Sequence, residues 1–270
     1  MTGFIERPSP NCDARPDGTA IDILLLHYTG MKSAEDALAR LCDPVARVSA
    51  HYTIDTDGRV YRHIDEVLRA WHAGVSYWAG ERNVNGRSIG VELVNPGHEF
   101  GYVTFPVPQI AALIDLALAI LARHPIPPHR VLGHSDVAPA RKQDPGELFP
   151  WHALAEHGIG IFPPHSITFP PPLAGEVARA SAPEGAVART PTPPSVSLRC
   201  APLDTSPARG GGKDCADALR SFGYGLPPDV DIPVATVVRA FQRHFRPEKV
   251  DGIADEQTRS RLSALLQLVE

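Results

Sequence analysis

The sequence predicts an α/β domain, with helices flanking a mixed central β-sheet, followed by a small three-helix C-terminal domain. Three observations predict it. The run Ile21-Asp22-Ile23-Leu24-Leu25-Leu26-His27 is short and almost continuously apolar, as suits a central strand buried on both faces. Pro106 and Pro108 open a long apolar stretch that reaches about His124, where Pro125 to Pro128 stop it, which marks a helix packed on the sheet. Beyond residue 212, three helix-periodic segments recur with turn residues between them.

The elements follow in order. After the first strand (21–27), Ser33 is placed to cap a helix running to Leu41. Strands near 50–55 and 59–64 flank Thr56-Asp57-Gly58, an Asp-Gly hairpin signal. Further strands are expected at 88–94 and 130–133, and a last helix near Pro150–His157 closes the domain. Residues 163–212 change character: eleven of the 28 prolines fall in 163–208, among Ala, Ser, Thr and Gly. That composition predicts a flexible linker or insertion that cannot offset its ordering entropy by burial. Within it, Phe169 to Arg179 resembles the translated product of a mobile repeat of bacterial genomes. The tail reads as helices at Asp214–Phe222, Pro233–His244 and Asp255–Val269, with Phe241, Phe245, Leu262 and Leu265 as its core. About 55 residues make a marginal domain alone, so it is expected to lean on the first.

Composition narrows the function. A net charge of −5 argues against a nucleic-acid partner, and no run approaches the length of a membrane span. The first residues show no signal sequence and no lipobox-like Cys, and four cysteines without framework spacing suit reduced thiols, so a cytoplasmic location is expected. Release by lysis or a non-classical route, and hence action at the wall, stays open. No obligate protein partner is implied.

The chemistry concentrates in Gly133 to Gly146, which holds His134, Lys142 and Asp144. The segment is too rich in Pro and Gly for a helix, and an extended backbone would turn Lys142 and Asp144 to one side. His27 ends the buried strand, where sites gather in open α/β sheets. Two imidazoles and a carboxylate, with a fourth position left to water, is the usual stoichiometry of a catalytic zinc site. Glu92 stands alone in the apolar strand Ser88-Ile89-Gly90-Val91-Glu92-Leu93-Val94. Burial would raise its pKa, as helps a base working near neutrality. His51 reads as structural or as a support behind the site. Trp71 and His72 are candidates for the substrate groove, where an indole stacks on a sugar face. Ser135-Asp136 beside His134 is no catalytic triad, because triad members meet by folding rather than by adjacency.

Taken together, LLLHYTG (Leu24–Gly30), VSAHYTIDTDGRVYRHI (Val48–Ile64), RAWHAGVSYWAG (Arg69–Gly80), NGRSIGVELVNPG (Asn85–Gly97) and GHSDVAPARKQDPG (Gly133–Gly146) resemble the zinc-dependent N-acetylmuramoyl-L-alanine amidases of the AmpD/AmiD type. The likeness covers roughly residues 5–162. It implies one Zn2+ per chain on His27, His134 and Asp144, Glu92 as general base, and Lys142 as electrophilic helper. It also implies hydrolysis of the bond between N-acetylmuramic acid, or its anhydro form, and L-Ala in peptidoglycan or muropeptides, for wall turnover or recycling. Asn85 and Arg87, in the fourth segment, join Trp71 and His72 as candidate substrate binders. The pieces Ala240–Pro247, Asp251-Gly252-Ile253 and Thr258–Leu265 resemble a small helical peptidoglycan-binding domain. The expected division is therefore 1–162 catalytic, 163–212 linker and 213–270 peptidoglycan-binding-like. The alternative is a non-catalytic muropeptide-recognition module, against which the complete set of chemical residues argues.

Overall fold

A computed structural model of the chain describes residues 3–163 and 211–269; the expected linker lies outside the described residues. The first part contains, in order, β1 (Ile5–Glu6), β2 (Cys12–Ala14), β3 (Ile23–Tyr28), α1 (Ala34–Cys42), β4 (Tyr52–Ile54), β5 (Val60–Arg62), β6 (Leu68–Ala70), α2 (Val84–Arg87), β7 (Ser88–Leu93), α3 (Gly97–Phe100), α4 (Val107–Arg123), β8 (Val131–Gly133), α5 (His134–Val137) and α6 (Trp151–Glu156). The second adds α7 (Gly211–Phe222), α8 (Val234–Phe245) and α9 (Glu256–Val269). The expected strands and helices are all present within a few residues. The short β1, β2 and β6 were not expected.

The main sheet has the order β1-β5-β4-β7-β3-β8, and β2 pairs with β6 in a separate ribbon. Only the β4–β5 hairpin is antiparallel within the main sheet; the other neighbours run parallel. This is the mixed sheet that the sequence predicts. The hairpin turns where expected, and Gly58 adopts φ 88, which a residue with Cβ rarely takes.

Strand alternation sorts the two faces. Leu24, Leu26, Ile89, Val91 and Leu93 point into one core, beneath α4, with Leu113, Leu116 and Ile120. Ile23, Leu25 and Leu132 point to the other face, into a core with Phe222, Phe241, Phe245, Leu262 and Leu265 from the C-terminal helices. Phe241, Phe245, Leu262 and Leu265 are buried, as expected, but their core is not their own. Trp78, from the loop after β6, meets Tyr224 at 5.0 Å and Phe222 at 6.1 Å between ring centroids. The described residues, 3–163 and 211–269, accordingly form one compact unit. A tail too small to bury enough apolar surface by itself borrows a sheet face to do so.

α4 is tied to the hairpin by a buried carboxylate. Glu66 Oε1 accepts from Tyr52 Oη (2.8 Å) and Arg123 Nη2 (2.6 Å), while Oε2 accepts from His124 Nε2 (2.7 Å) and Arg123 Nε (3.1 Å). Burial alone would raise the Glu66 pKa, but these donors overcome it and pull it down to about 2 from 4.5. A depressed carboxylate stabilises the fold above its unfolded pKa, and that stability is lost as pH falls through the folded value. The linkage is of order 3 kcal/mol at neutral pH. Glu66→Gln is therefore expected to lower the urea midpoint clearly at pH 7 and much less near pH 3, between the unfolded and folded values, where the wild type is already losing that stability. An equal loss at both values would show that the charge is not what matters.

Candidate metal centre

Three strands deliver the site. In the parallel ladder, His27 of β3 is the register partner of Glu92 of β7, so both side chains stand on one face at the carboxyl end of the sheet. β8 runs beside β3 and hands the chain directly to α5, whose first residue is His134. His27, His134, Asp144 and Glu92 are all buried.

His27 Nδ1 lies 2.9 Å from His134 Nδ1 and 3.1 Å from Asp144 Oδ2, and His134 Nδ1 lies 3.0 Å from Asp144 Oδ2. Neighbouring donors of a tetrahedral site with bonds of about 2.0–2.1 Å stand roughly 3.3 Å apart, so the triangle is close to that size. The protons are elsewhere. His134 Nε2 sits 3.0 Å from the Ala73 carbonyl, which can only accept, so Nε2 carries the hydrogen. Ser88 Oγ donates to the Val84 carbonyl (2.7 Å) and is thereby left to accept from His72 Nε2 (3.3 Å). His72 Nδ1 then accepts from His27 Nε2 (3.0 Å). Both ligand-side nitrogens thus present lone pairs to the same point as the carboxylate. This is the donor set of a cation, with the outer-shell hydrogen bonds that fix imidazole tautomers at metal sites.

Electrostatics agree. Burial first, then the neighbouring His134, lowers His27 to about 4, and burial holds His72 well below the ordinary imidazole value. Burial would raise Asp144, yet His134 and His27 pull it well below the carboxylate range. A neutral His27 beside an ionised Asp144 is the protonation state that metal binding requires. Glu92 goes the other way: burial and the adjacent Asp144 charge push it well above its usual value, and Lys142 offsets only part of this. Its Oε2 has no hydrogen-bond partner among the described residues.

His27, Glu92, His134, Lys142 and Asp144 therefore come together as the sequence expects, but one part of the local reading needs correction. Gly133 to Gly146 is not extended throughout, because His134–Val137 forms a single helical turn. Asp136 Oδ2 accepts from the Gly133 amide (2.7 Å) and closes that turn, and Pro139 ends it. The amides of Arg141 and Lys142 both bond the Ala138 carbonyl at 3.0 Å. Lys142 lines the same pocket as Glu92 and Asp144 because of this tight turn rather than strand alternation.

The four candidate substrate binders have other engagements. His72 borders the pocket, but its ring is the support behind His27. Asn85 Oδ1 accepts from the amides of His72 (3.1 Å) and Ala73 (2.8 Å), pinning the loop that supplies both ligand supports. Trp71 is half-buried, with the Arg47 guanidinium 5.7 Å from its ring centroid. Arg87 is a correction: it pairs with Asp22 at the amino ends of β3 and β7, about 16 Å along the strand from Glu92. An arginine there staples the sheet and is out of reach of the pocket.

His51 is structural, as expected. Its Nδ1 accepts from the Gly90 amide (2.9 Å), and burial, followed by Arg15, lowers it to about 3. Gly90 itself went unnoticed in the sequence: a Cβ there would lie 2.5 Å from the His72 ring, so the missing side chain is what lets His72 reach His27. The rim cluster of Tyr28, His98 and Tyr102 was also missed. Tyr28 Oη meets His98 Nδ1 at 2.9 Å, and the His98 and Tyr102 rings stack at 4.3 Å. The sequence places Tyr28 beside His27, but nothing in it links Tyr28 to His98.

A pocket with convergent imidazole and carboxylate acceptors beside a protonatable buried acid has the donor set of the metal-site hydrolase class. Comparison with known proteins refines that class. Residues 17–147 match the family model described as N-acetylmuramoyl-L-alanine amidase, and residues 216–262 match one for a peptidoglycan binding domain. The N-acetylmuramoyl-L-alanine amidase AmiD of Escherichia coli is 35% identical over 98% of this chain and 91% of its own length. Its structure, in complex with the substrate anhydro-N-acetylmuramic acid-L-Ala-D-gamma-Glu-L-Lys, superposes with a TM-score of 0.71 at 33% identity, covering 94% of this chain and 92% of AmiD. AmpDH3 of Pseudomonas aeruginosa, in complex with anhydromuramic pentapeptide, also gives 0.71 at 33% identity, over 95% of each chain. The 1,6-anhydro-N-acetylmuramyl-L-alanine amidase AmpD of Escherichia coli is 35% identical over 56% of this chain and 90% of its own. The chain belongs to the N-acetylmuramoyl-L-alanine amidase family.

Proposed function

We propose that this amidase is zinc-dependent, holding one Zn2+ on His27, His134 and Asp144, and that it cleaves the bond between N-acetylmuramic acid, or its anhydro form, and L-Ala in muropeptides or peptidoglycan. The observation that carries the reading is the convergence of three lone-pair acceptors beside Glu92, its register partner on the next strand. The anhydromuropeptides bound by AmiD and AmpDH3 support the substrate class.

Zinc bound there would supply a Lewis acid for the scissile carbonyl and for an attacking water. The protein's own residues supply the rest. Glu92, through its unpartnered Oε2, takes the proton of the water and returns it to the departing L-Ala nitrogen. Its raised pKa favours keeping that proton between the two transfers. Lys142, on the pocket wall, brings positive charge to the oxyanion that develops on the carbonyl oxygen. His72 and the Ala73 carbonyl hold the two imidazoles still. In this reading residues 1–162 carry the chemistry, 163–212 join the two parts, and 213–270 favour contact with the wall.

The test is a zinc-loaded full chain incubated with anhydro-N-acetylmuramyl tripeptide and, in parallel, with sacculi, reading free stem peptide by mass spectrometry. Release is expected, should stop with a chelator and should return with added zinc. A folded, zinc-loaded chain that releases nothing from either substrate would overturn the proposal.

A further inference from the structure

Asp136 lies two residues beyond His134 and is fully buried (0% exposed). Its carboxylate closes the α5 turn locally through the Gly133 amide, but its other partners come from the far end of the chain. Tyr224 Oη donates to Oδ1 at 2.7 Å, and His244 Nδ1 donates to Oδ2 at 2.7 Å. Both donors are themselves buried, Tyr224 at 0% and His244 at 3% exposed. The His244 ring is fixed between Trp151, 3.7 Å away at 21°, and Phe245, 3.8 Å away at 5°.

An isolated helical turn has no stability of its own, since nucleation costs more than one hydrogen bond returns. α5 must be held from outside: besides the His134 Nε2 bond to the Ala73 carbonyl and the packing of Val137 in the core, three polar links reach it. The Ser135 amide bonds the Asp144 carbonyl (2.9 Å), the Tyr77 amide bonds the Val137 carbonyl (2.8 Å), and the Asp136 carboxylate reaches Tyr224 and His244. The first link runs between the neighbourhoods of two proposed ligands. The last anchors the turn to the C-terminal helices.

We propose that Tyr224 and His244 are positioning residues for the metal centre, so that the C-terminal helical segment is a working part of it and not only a wall-binding attachment. They fix Asp136, which fixes the turn from which His134 projects. The inference rests on His134 being a ligand.

Tyr224→Phe removes one oxygen, and His244→Phe keeps the stacked ring while removing the donor. Each is expected to weaken zinc affinity about ten-fold, at the low end of the 10–100-fold seen for outer-shell partners. Affinity is read by chelator competition on full-length chains whose folding is verified by circular dichroism. Val238→Ala serves as the control, because it thins the same C-terminal core while removing no hydrogen bond to Asp136. It should lower the unfolding midpoint and leave zinc affinity within two-fold of wild type. Unchanged affinity in both phenylalanine variants, or equal weakening in Val238→Ala, would overturn the proposal. A wild-type chain that binds no zinc would instead remove the metal reading beneath it. Coupling between sites is reciprocal, so a second measurement needs no variant. Zinc added to the unaltered chain should slow amide hydrogen exchange in α8 and around Tyr224, and no change there would overturn the proposal too.

Discussion

His134→Ala is expected to lose bound zinc and hydrolysis together. The imidazole supplies one of three converging donors, and two remaining donors make a poor match for a cation that takes three protein ligands at catalytic sites. Zinc per chain should fall from about one to near zero in elemental analysis after dialysis. Turnover should fall with it, since Glu92 and Lys142 alone have no means to polarise an amide carbonyl strongly. The variant also leaves the Ala73 carbonyl without His134, although Arg141 Nη2 still donates to it at 3.0 Å and Asn85 still holds the loop's amides. A folded variant that retains full zinc occupancy would refute the ligand assignment.

The second large effect separates the base from the metal. Glu92→Gln keeps the shape of the side chain but cannot accept a proton, so turnover should drop by roughly the 10²–10⁴ typical of general-base loss. Zinc should stay bound, because Glu92 is not among the converging donors. Stability should hold or rise slightly, since a buried carboxyl with one unpartnered oxygen is replaced by a neutral amide of similar volume. Near-wild-type turnover would move the proton to another group, and the nearby imidazoles are poorly placed for it. His72 is already bonded to His27 and Ser88, and His51 to the Gly90 amide.

What was legible in the sequence followed from local pattern. His27 closes an unbroken apolar run, and Glu92 is a lone charge in another, so both stood out before any pairing was known. The long α4 declared itself through prolines at both ends. The short strands did not, because two or three residues carry no periodicity. β2 exists only because Cys12–Ala14 finds Leu68–Ala70 across a long loop. Arg87 misled for a related reason: an arginine near a motif looks available until its partner, Asp22, is brought alongside by the β3–β7 ladder. Asp136 is the clearest limit. Its neighbour His134 is visible in the motif, whereas Tyr224 and His244 lie in another part of the sequence and share no spacing with it. Only packing on a common sheet face joins them.

The pairing of His27 with Glu92 as rungs of the same ladder bears on how the enzyme comes into being. A one-residue slip in a strand turns every side chain to the opposite face. If β7 slid by one against β3, Glu92 would enter the greasy layer under α4 and Val91 would take its place in the pocket. The bonds that build the sheet and the placement of the proposed ligand and base are thus set by a single choice of alignment. On the proposed roles a misthreaded chain is expected to be catalytically silent, and hydrolysis is expected to return during refolding only as the central strands align.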